Sequence, residues 1–147
     1  MNRNSLLALS CAFLVALVAL AARADDDDKK LKGKHPLAVL KGVINSDNGT
    51  TLGAMRGDAT IWLKNVSDVA VDGVKVEMVI YNGNNGRKLE TLTKDIGELN
   101  AGDKKYLNFK WEIYGATTIK PKVWVYYNGG GEEPVKFDGE PPVWNGQ

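Results

Sequence analysis

Residues 59 to 81, ATIWLKNVSDVAVDGVKVEMVIY, hold two alternating stretches separated by a polar break. In the second stretch Val74, Val76, Met78 and Ile80 fall on one side, with Lys75 and Glu77 on the other. A period of two is the mark of a half-buried β-strand. In the first stretch Ala59, Ile61 and Leu63 form the expected core side. Residues 105–112 alternate as cleanly, with Leu107, Phe109 and Trp111 on one side and Tyr106, Asn108 and Lys110 on the other. Three more segments read as strands: 37–44, 88–94 and 119–127. The segment 88–94 is the most polar and is expected at a sheet edge, where lysines discourage pairing with other chains. Gly42 inside the first segment predicts a bulge or a close neighbour.

Turn chemistry separates these segments. Asp72-Gly73, the run 82–87 (NGNNGR), the run 100–103 (NAGD) and Gly129 to Gly131 are all rich in residues that tolerate positive φ. No helical period longer than about two turns occurs after residue 24. The pattern therefore predicts an all-β, immunoglobulin-like two-sheet sandwich of about seven strands, spanning 37–128 as one domain. Residues 129–147 read as a Gly/Pro-rich C-terminal tail. The tail carries Phe137 and Trp144, and it is either loosely ordered or folded back onto the body.

The start of the chain has another character. Asn2 and Arg3 precede an apolar run from Leu6 to Leu20, followed by Ala22-Arg23-Ala24. This is the layout of a cleaved signal peptide, read here as 1–24, and it places the protein in a secreted or periplasmic setting. The apolar run is shorter than the roughly 20 residues of a membrane span, so no stable membrane insertion is expected after cleavage. Cys11 lies inside the apolar run rather than after it, which argues against a lipidated cysteine. It is the one cysteine, so the exported part uses no disulfide. Residues 25–36 read as a charged flexible lead-in: four aspartates, then Lys29, Lys30, Lys32 and Lys34. Asp25 to Lys29 resembles an enteropeptidase cleavage site. A trypsin-like zymogen is excluded, because the chain has one histidine and no Gly-Asp-Ser-Gly-Gly stretch.

Charge narrows the partners. Without Arg3 and Arg23, 17 basic residues of the original 19 face 18 acidic ones, a formal charge of −1. A field of that size draws the chain neither to nucleic acid nor to anionic lipid.

Two short motifs carry a resemblance. Lys64-Asn65-Val-Ser-Asp leads into Val71-Asp-Gly73-Val74-Lys-Val76, and Leu99-Asn-Ala-Gly102-Asp precedes the Phe109-x-Trp111 pair. This arrangement resembles bacterial immunoglobulin-like domains of the FxLYD and CARDB types over about residues 37–128. The match departs from the FxLYD name itself, since the corresponding strand reads Val-Ile-Tyr-Asn. The resemblance implies surface or periplasmic binding and spacing, with no shared catalytic residues.

Reactive constellations are sparse. His35 stands beside Pro36 in the lead-in, and Glu77, Glu90, Glu98 and Glu112 fall on expected strand exteriors or turns. No catalytic residue is assigned, and the chain is expected to be no enzyme and to need no cofactor. His35, Met55 and Met78 could form a soft copper site. Asp68 with Asp72, or Asp138 with Glu140, could hold calcium, but no Asp-x-Asp-x-Asp-Gly pattern exists, so no metal ligand is assigned. The glycosylation patterns Asn48-Gly-Thr50 and Asn65-Val-Ser67 are read as chance.

Aromatic residues give the best lead. Trp62, Tyr81, Trp124 and Tyr126 each alternate away from an expected core residue. If all four point outward, they form a candidate ligand or partner face, since flat aromatic surfaces anchor protein interfaces and stack on sugars. The alternative is that they are covered by the tail or the first strand. The expected function is non-enzymatic protein–protein contact at the cell surface or in the periplasm. A carbohydrate-binding module is the alternative, and a small calcium- or copper-binding exported protein is a second.

Overall fold

The computed structural model describes residues 34–47, 54–142 and 144–145. The expected signal peptide 1–24, Cys11 and nearly all of the charged lead-in lie outside the described residues.

Eight strands follow in order: β1 (Leu37–Asp47), β2 (Ala54–Asn65), β3 (Val71–Asn82), β4 (Lys88–Leu99), β5 (Lys104–Tyr114), β6 (Ile119–Tyr127), β7 (Val135–Asp138) and β8 (Trp144–Asn145). They form two four-stranded sheets, a front sheet β5-β2-β1-β8 and a back sheet β4-β3-β6-β7. The expected all-β sandwich is what the chain forms, with eight strands rather than about seven. All neighbours pair antiparallel except β8, which runs parallel to β1.

Alternation sets the core. Ala59, Ile61 and Leu63 of β2, Val76, Met78 and Ile80 of β3, and Val123 and Val125 of β6 are fully enclosed. Leu107, Phe109, Trp111 and Ile113 of β5 complete the inner layer. Each such aliphatic side chain contributes about 1.5–3 kcal/mol on burial, and none of these strands could slip by one residue without exposing its whole set.

Several boundaries differ from the sequence reading. β3 begins at Val71, not Val74, because the register shifts between Val71 and Val74 and so absorbs Asp72 and Gly73 as a bulge. β4 likewise runs on to Leu99, with Gly97 opposite Val74 at φ 77°. The segment 88–99 lies at the edge of the back sheet, as its lysines led us to expect.

Two short segments of the expected tail join the sheets, one in each. β7 pairs with β6, and Phe137 stacks on the His35 ring at 4.3 Å with planes 9° apart. The His35 Nδ1 also lies 3.2 Å from the Tyr127 hydroxyl. β8 brings Trp144 against Gly42, where a Cβ would sit 2.6 Å from the indole ring. Gly42 is thus the close neighbour expected, and β1 also shifts register between Val39 and Lys41.

Candidate binding face

β6 organises the outer side of the back sheet. Because Val123, Val125 and Tyr127 turn inward, Trp124 and Tyr126 must turn outward. Register then fixes their neighbours. Tyr126 lies between Lys75 of β3 and Lys136 of β7, and Trp124 lies between Glu77 of β3 and Asp138 of β7. The result is a grid of two rows across three strands.

Cations lie against both rings. Lys75 Nζ is 4.3 Å from the Tyr126 ring centroid, and Lys136 Nζ is 4.3 Å from that of Trp124 and 5.2 Å from that of Tyr126. Lys122 Nζ approaches Trp124 at 5.1 Å. Such contacts draw the ammonium to the negative face of the ring. The Tyr126 hydroxyl donates to Glu77 Oε2 at 2.7 Å, and Lys75 pairs with Glu77 Oε1 at 3.3 Å. The Tyr126 hydrogen bond, then the Lys75 ammonium, holds the Glu77 carboxyl below the usual carboxylate range against the opposing effect of burial. Val79 points to the same side yet is buried, opposite Lys122. The face is therefore an aromatic pair beside Val79, with lysines laid against the rings and with Glu77 and Asp138 flanking Trp124.

The four aromatics do not share one surface. Trp62 is on β2, in the front sheet, where it meets Tyr106 edge-on at 5.6 Å and carries Lys41 at 4.4 Å from its ring. Tyr81 is in the back sheet but lies opposite Lys88 and Lys120. It turns to the same outer side as Trp124 and is four positions along β3 from Glu77, the residue beside Trp124, roughly 13 Å away at strand spacing. All four are half-buried rather than fully exposed. Alternation predicts the side of a sheet, not which sheet, and so it could not separate Trp62 from the others. The lysines on the rings were missed. Their signal was the i−2 position of Lys122 and the Lys75/Glu77 pair, but only register places them beside the rings.

Other candidates have local partners. Met78 fills the core and Met55 is buried at the start of β2. The Asp72 carboxylate accepts from the Gly73 N–H at 2.7 Å, that of Asp138 from the Glu140 N–H at 2.9 Å, and that of Glu140 from Trp144 Nε1 at 2.8 Å. Among the described residues no three His, Cys, Asp or Glu side chains gather as metal ligands. On the outer front sheet Glu112 accepts from Arg56 at 2.6 Å and from the Tyr114 hydroxyl at 2.8 Å, all at the surface. Asn65, one of the glycosylation patterns, is wholly enclosed.

No family model matches the chain, and no curated protein resembles it in sequence. Its fold does have solved counterparts. The C-terminal domain of Wzt superposes with a TM-score of 0.53 at 14% identity, covering 78% of this chain and 75% of that one. A β-glucuronidase of glycoside hydrolase family 2 superposes with a TM-score of 0.53 at 10% identity. That match covers 70% of this chain, while the chain spans only 12% of the glucuronidase. At these identities the likeness shows the β-sandwich architecture and nothing finer.

Proposed function

We propose that this protein is an exported, non-enzymatic binding domain that meets a protein partner through the outer face of its back sheet. One observation carries this reading: Trp124 and Tyr126 lie next to each other on the outer face of the back sheet, with Lys75, Lys122 and Lys136 against their rings. Interface hot spots favour such large aromatics surrounded by polar groups. The apolar run before Ala24 supports export. We further propose kinship with the FxLYD and CARDB types. It is supported by the way the two motifs of that resemblance interlock, through hydrogen bonds from Asn65 to Leu99 and from Gly102 to Asn65.

The test uses the full chain and extract from the exported fraction of its own cells. A partner should be retained by the parent protein, and lost with Trp124→Ala and Tyr126→Ala. It should be kept with Tyr106→Ala on the other sheet. Equal retention by all four forms would refute the assignment of the face.

A carbohydrate reading uses the same rings. The lysines weigh against it, because Lys75 and Lys136 lie over the ring faces on which a sugar would stack. Tryptophan fluorescence titrated with neutral polysaccharides separates the two readings, since only a stacking sugar should quench Trp124.

A further inference from the structure

An Asn-Gly pair can modify itself, because the glycine nitrogen reaches the asparagine carboxamide with no side chain in the way. The chain holds five such pairs, and three lie wholly within the described residues: Asn82-Gly83, Asn85-Gly86 and Asn128-Gly129. The reaction needs a glycine N–H free to lose its proton and a carboxamide free to turn toward it.

The fold withholds both from two of these pairs. The Gly83 N–H donates to the Thr118 carbonyl at 2.9 Å, and the Gly86 N–H to the Asn82 carbonyl at 2.8 Å. Their carboxamides are engaged as well. The Asn82 side-chain oxygen accepts from the Asn84 N–H at 2.9 Å, and that of Asn85 from the Arg87 N–H at 3.0 Å. Asn82 is also buried.

Asn128-Gly129 differs because the β6–β7 pairing ends just before it. Tyr127 opposite Val135 is the last paired position of the two strands. The Asn128 N–H still donates to the Asp72 carbonyl on the β3 side, at 2.9 Å. Gly129 is one step further on, and among the described residues no group accepts its N–H. Asn128 is exposed, and its carboxamide has one polar contact, Nδ2 to the Asp72 Oδ2 at 3.5 Å, longer than an ordinary hydrogen bond. Gly130 and Gly131 follow, so the backbone beyond the pair is unhindered.

We propose that Asn128 is a site of slow self-modification that loosens β7. The Gly129 nitrogen attacks the Asn128 Cγ. Its proton leaves with the carboxamide nitrogen as ammonia, and the chain carries a cyclic succinimide. Water then opens either carbonyl of the ring, giving aspartate or isoaspartate. Both products set a carboxylate beside that of Asp72, in place of the amide that met it, and like charges there repel. Isoaspartate also adds a carbon to the main chain just before the turn into β7. That strand has four residues and pairs with β6 alone among the described residues. It carries Lys136 against the Trp124 and Tyr126 rings, so the change reaches the edge of the aromatic face.

The test ages the full chain in warm, mildly alkaline buffer and maps each pair by proteolysis and mass spectrometry, with isoaspartate identified by enzymatic methylation. Capped peptides of the three local sequences give the rate of each pair without a fold. Asn128 should convert within threefold of its peptide, and Asn82 and Asn85 at least tenfold more slowly than theirs. Equal suppression of all three overturns the assignment, and so does conversion of Asn82 or Asn85 ahead of Asn128. In the converted protein, separated by its added negative charge, amides of Val135–Asp138 should exchange at least threefold faster, with β2 unchanged. Asn128→Gln keeps the amide but closes the ring far more slowly, so it should hold the parent exchange after the same treatment. Exchange in β7 that quickens equally in Asn128→Gln, or not at all in the converted protein, overturns the link to β7.

Discussion

Asn65 and Leu99 are joined across the sandwich: the Asn65 side-chain amide donates to the Leu99 carbonyl at 2.9 Å, within the core and 34 residues apart in sequence. The same amide donates to the Val69 carbonyl at 2.8 Å, while its oxygen accepts from the Ser67 N–H at 2.9 Å and the Ser67 hydroxyl at 2.7 Å. The main chain adds two more links, Asn65 N–H to the Asp103 carbonyl and Gly102 N–H to the Asn65 carbonyl. One buried residue thus ties the β2–β3 crossing to the β4–β5 crossing.

Asn65→Ala should consequently be among the costliest substitutions outside the aliphatic core. It strands the Leu99 carbonyl in a dry site, and an orphaned buried group costs about 1–3 kcal/mol in addition to the bonds lost. We expect a loss of about 2–4 kcal/mol in urea unfolding. Asn65→Asp retains the shape and removes the donor, so it should be destabilised as well. A loss below about 0.5 kcal/mol for both would show that the bridge is dispensable.

Gly42 tests the closure of the front sheet. An added Cβ would meet the Trp144 ring at 2.6 Å and Pro141 at 2.7 Å. Overpacking of this kind costs about 1–3 kcal/mol. Because β8 is held by only two paired residues, Gly42→Ala should expel it rather than distort β1. The expected signature is a red shift of Trp144 fluorescence, read in a variant that keeps Trp144 as its sole tryptophan. An unshifted spectrum would mean that the β1 backbone yields instead.

His35 and Phe137 make a comparable clasp on the back sheet. His35→Ala removes the stacked ring and the contact with the Tyr127 hydroxyl. Aromatic pairs contribute about 0.5–1.5 kcal/mol beyond area burial, so the global effect should be about 1 kcal/mol. The local effect should be larger: amides of Val135–Asp138 should exchange at least tenfold faster, with β2 and β3 unchanged.

How much of this was legible before the structure depends on what each residue needs from afar. Ile61, Met78, Phe109 and Val125 declared their faces through alternation, because a strand with one buried side repeats every two residues. Phe137 and Trp144 did not. β7 and β8 are too short to show a period, and what orders them is tertiary: a histidine ring in one case, a side-chain-free Gly42 in the other. Asp72-Gly73 looked like a strand boundary because the pair favours turns, and Gly73 does take φ 62°, yet a bulge carries the pairing through it. The aromatic face was half legible. Spacing put Trp124 and Tyr126 together, but Lys75, Glu77 and Lys136 join them only through the register of β3, β6 and β7.

Glu77 offers a prediction in pH. Its carboxyl lies below the usual range, first because the Tyr126 hydroxyl donates to it and next because of Lys75. A carboxylate depressed by folding adds stability that is fully present above its unfolded value and is lost as pH falls through the folded one. Tyr126→Phe removes the leading cause while keeping the ring under Lys75 and Lys136. Glu77 should therefore titrate at higher pH in the variant, followed by its side-chain carboxyl signal in NMR. Stability at neutral pH should fall by about 1–2 kcal/mol, the range for a hydrogen bond to a charged acceptor at a half-buried site. The acid limb of the stability curve should begin at higher pH than in the parent. Lys75→Met should shift the same titration upward as well, since the ammonium favours the charged carboxylate both as a donor and as a positive charge. If Lys75→Met moves Glu77 further than Tyr126→Phe does, the ion pair and not the phenol governs this carboxylate.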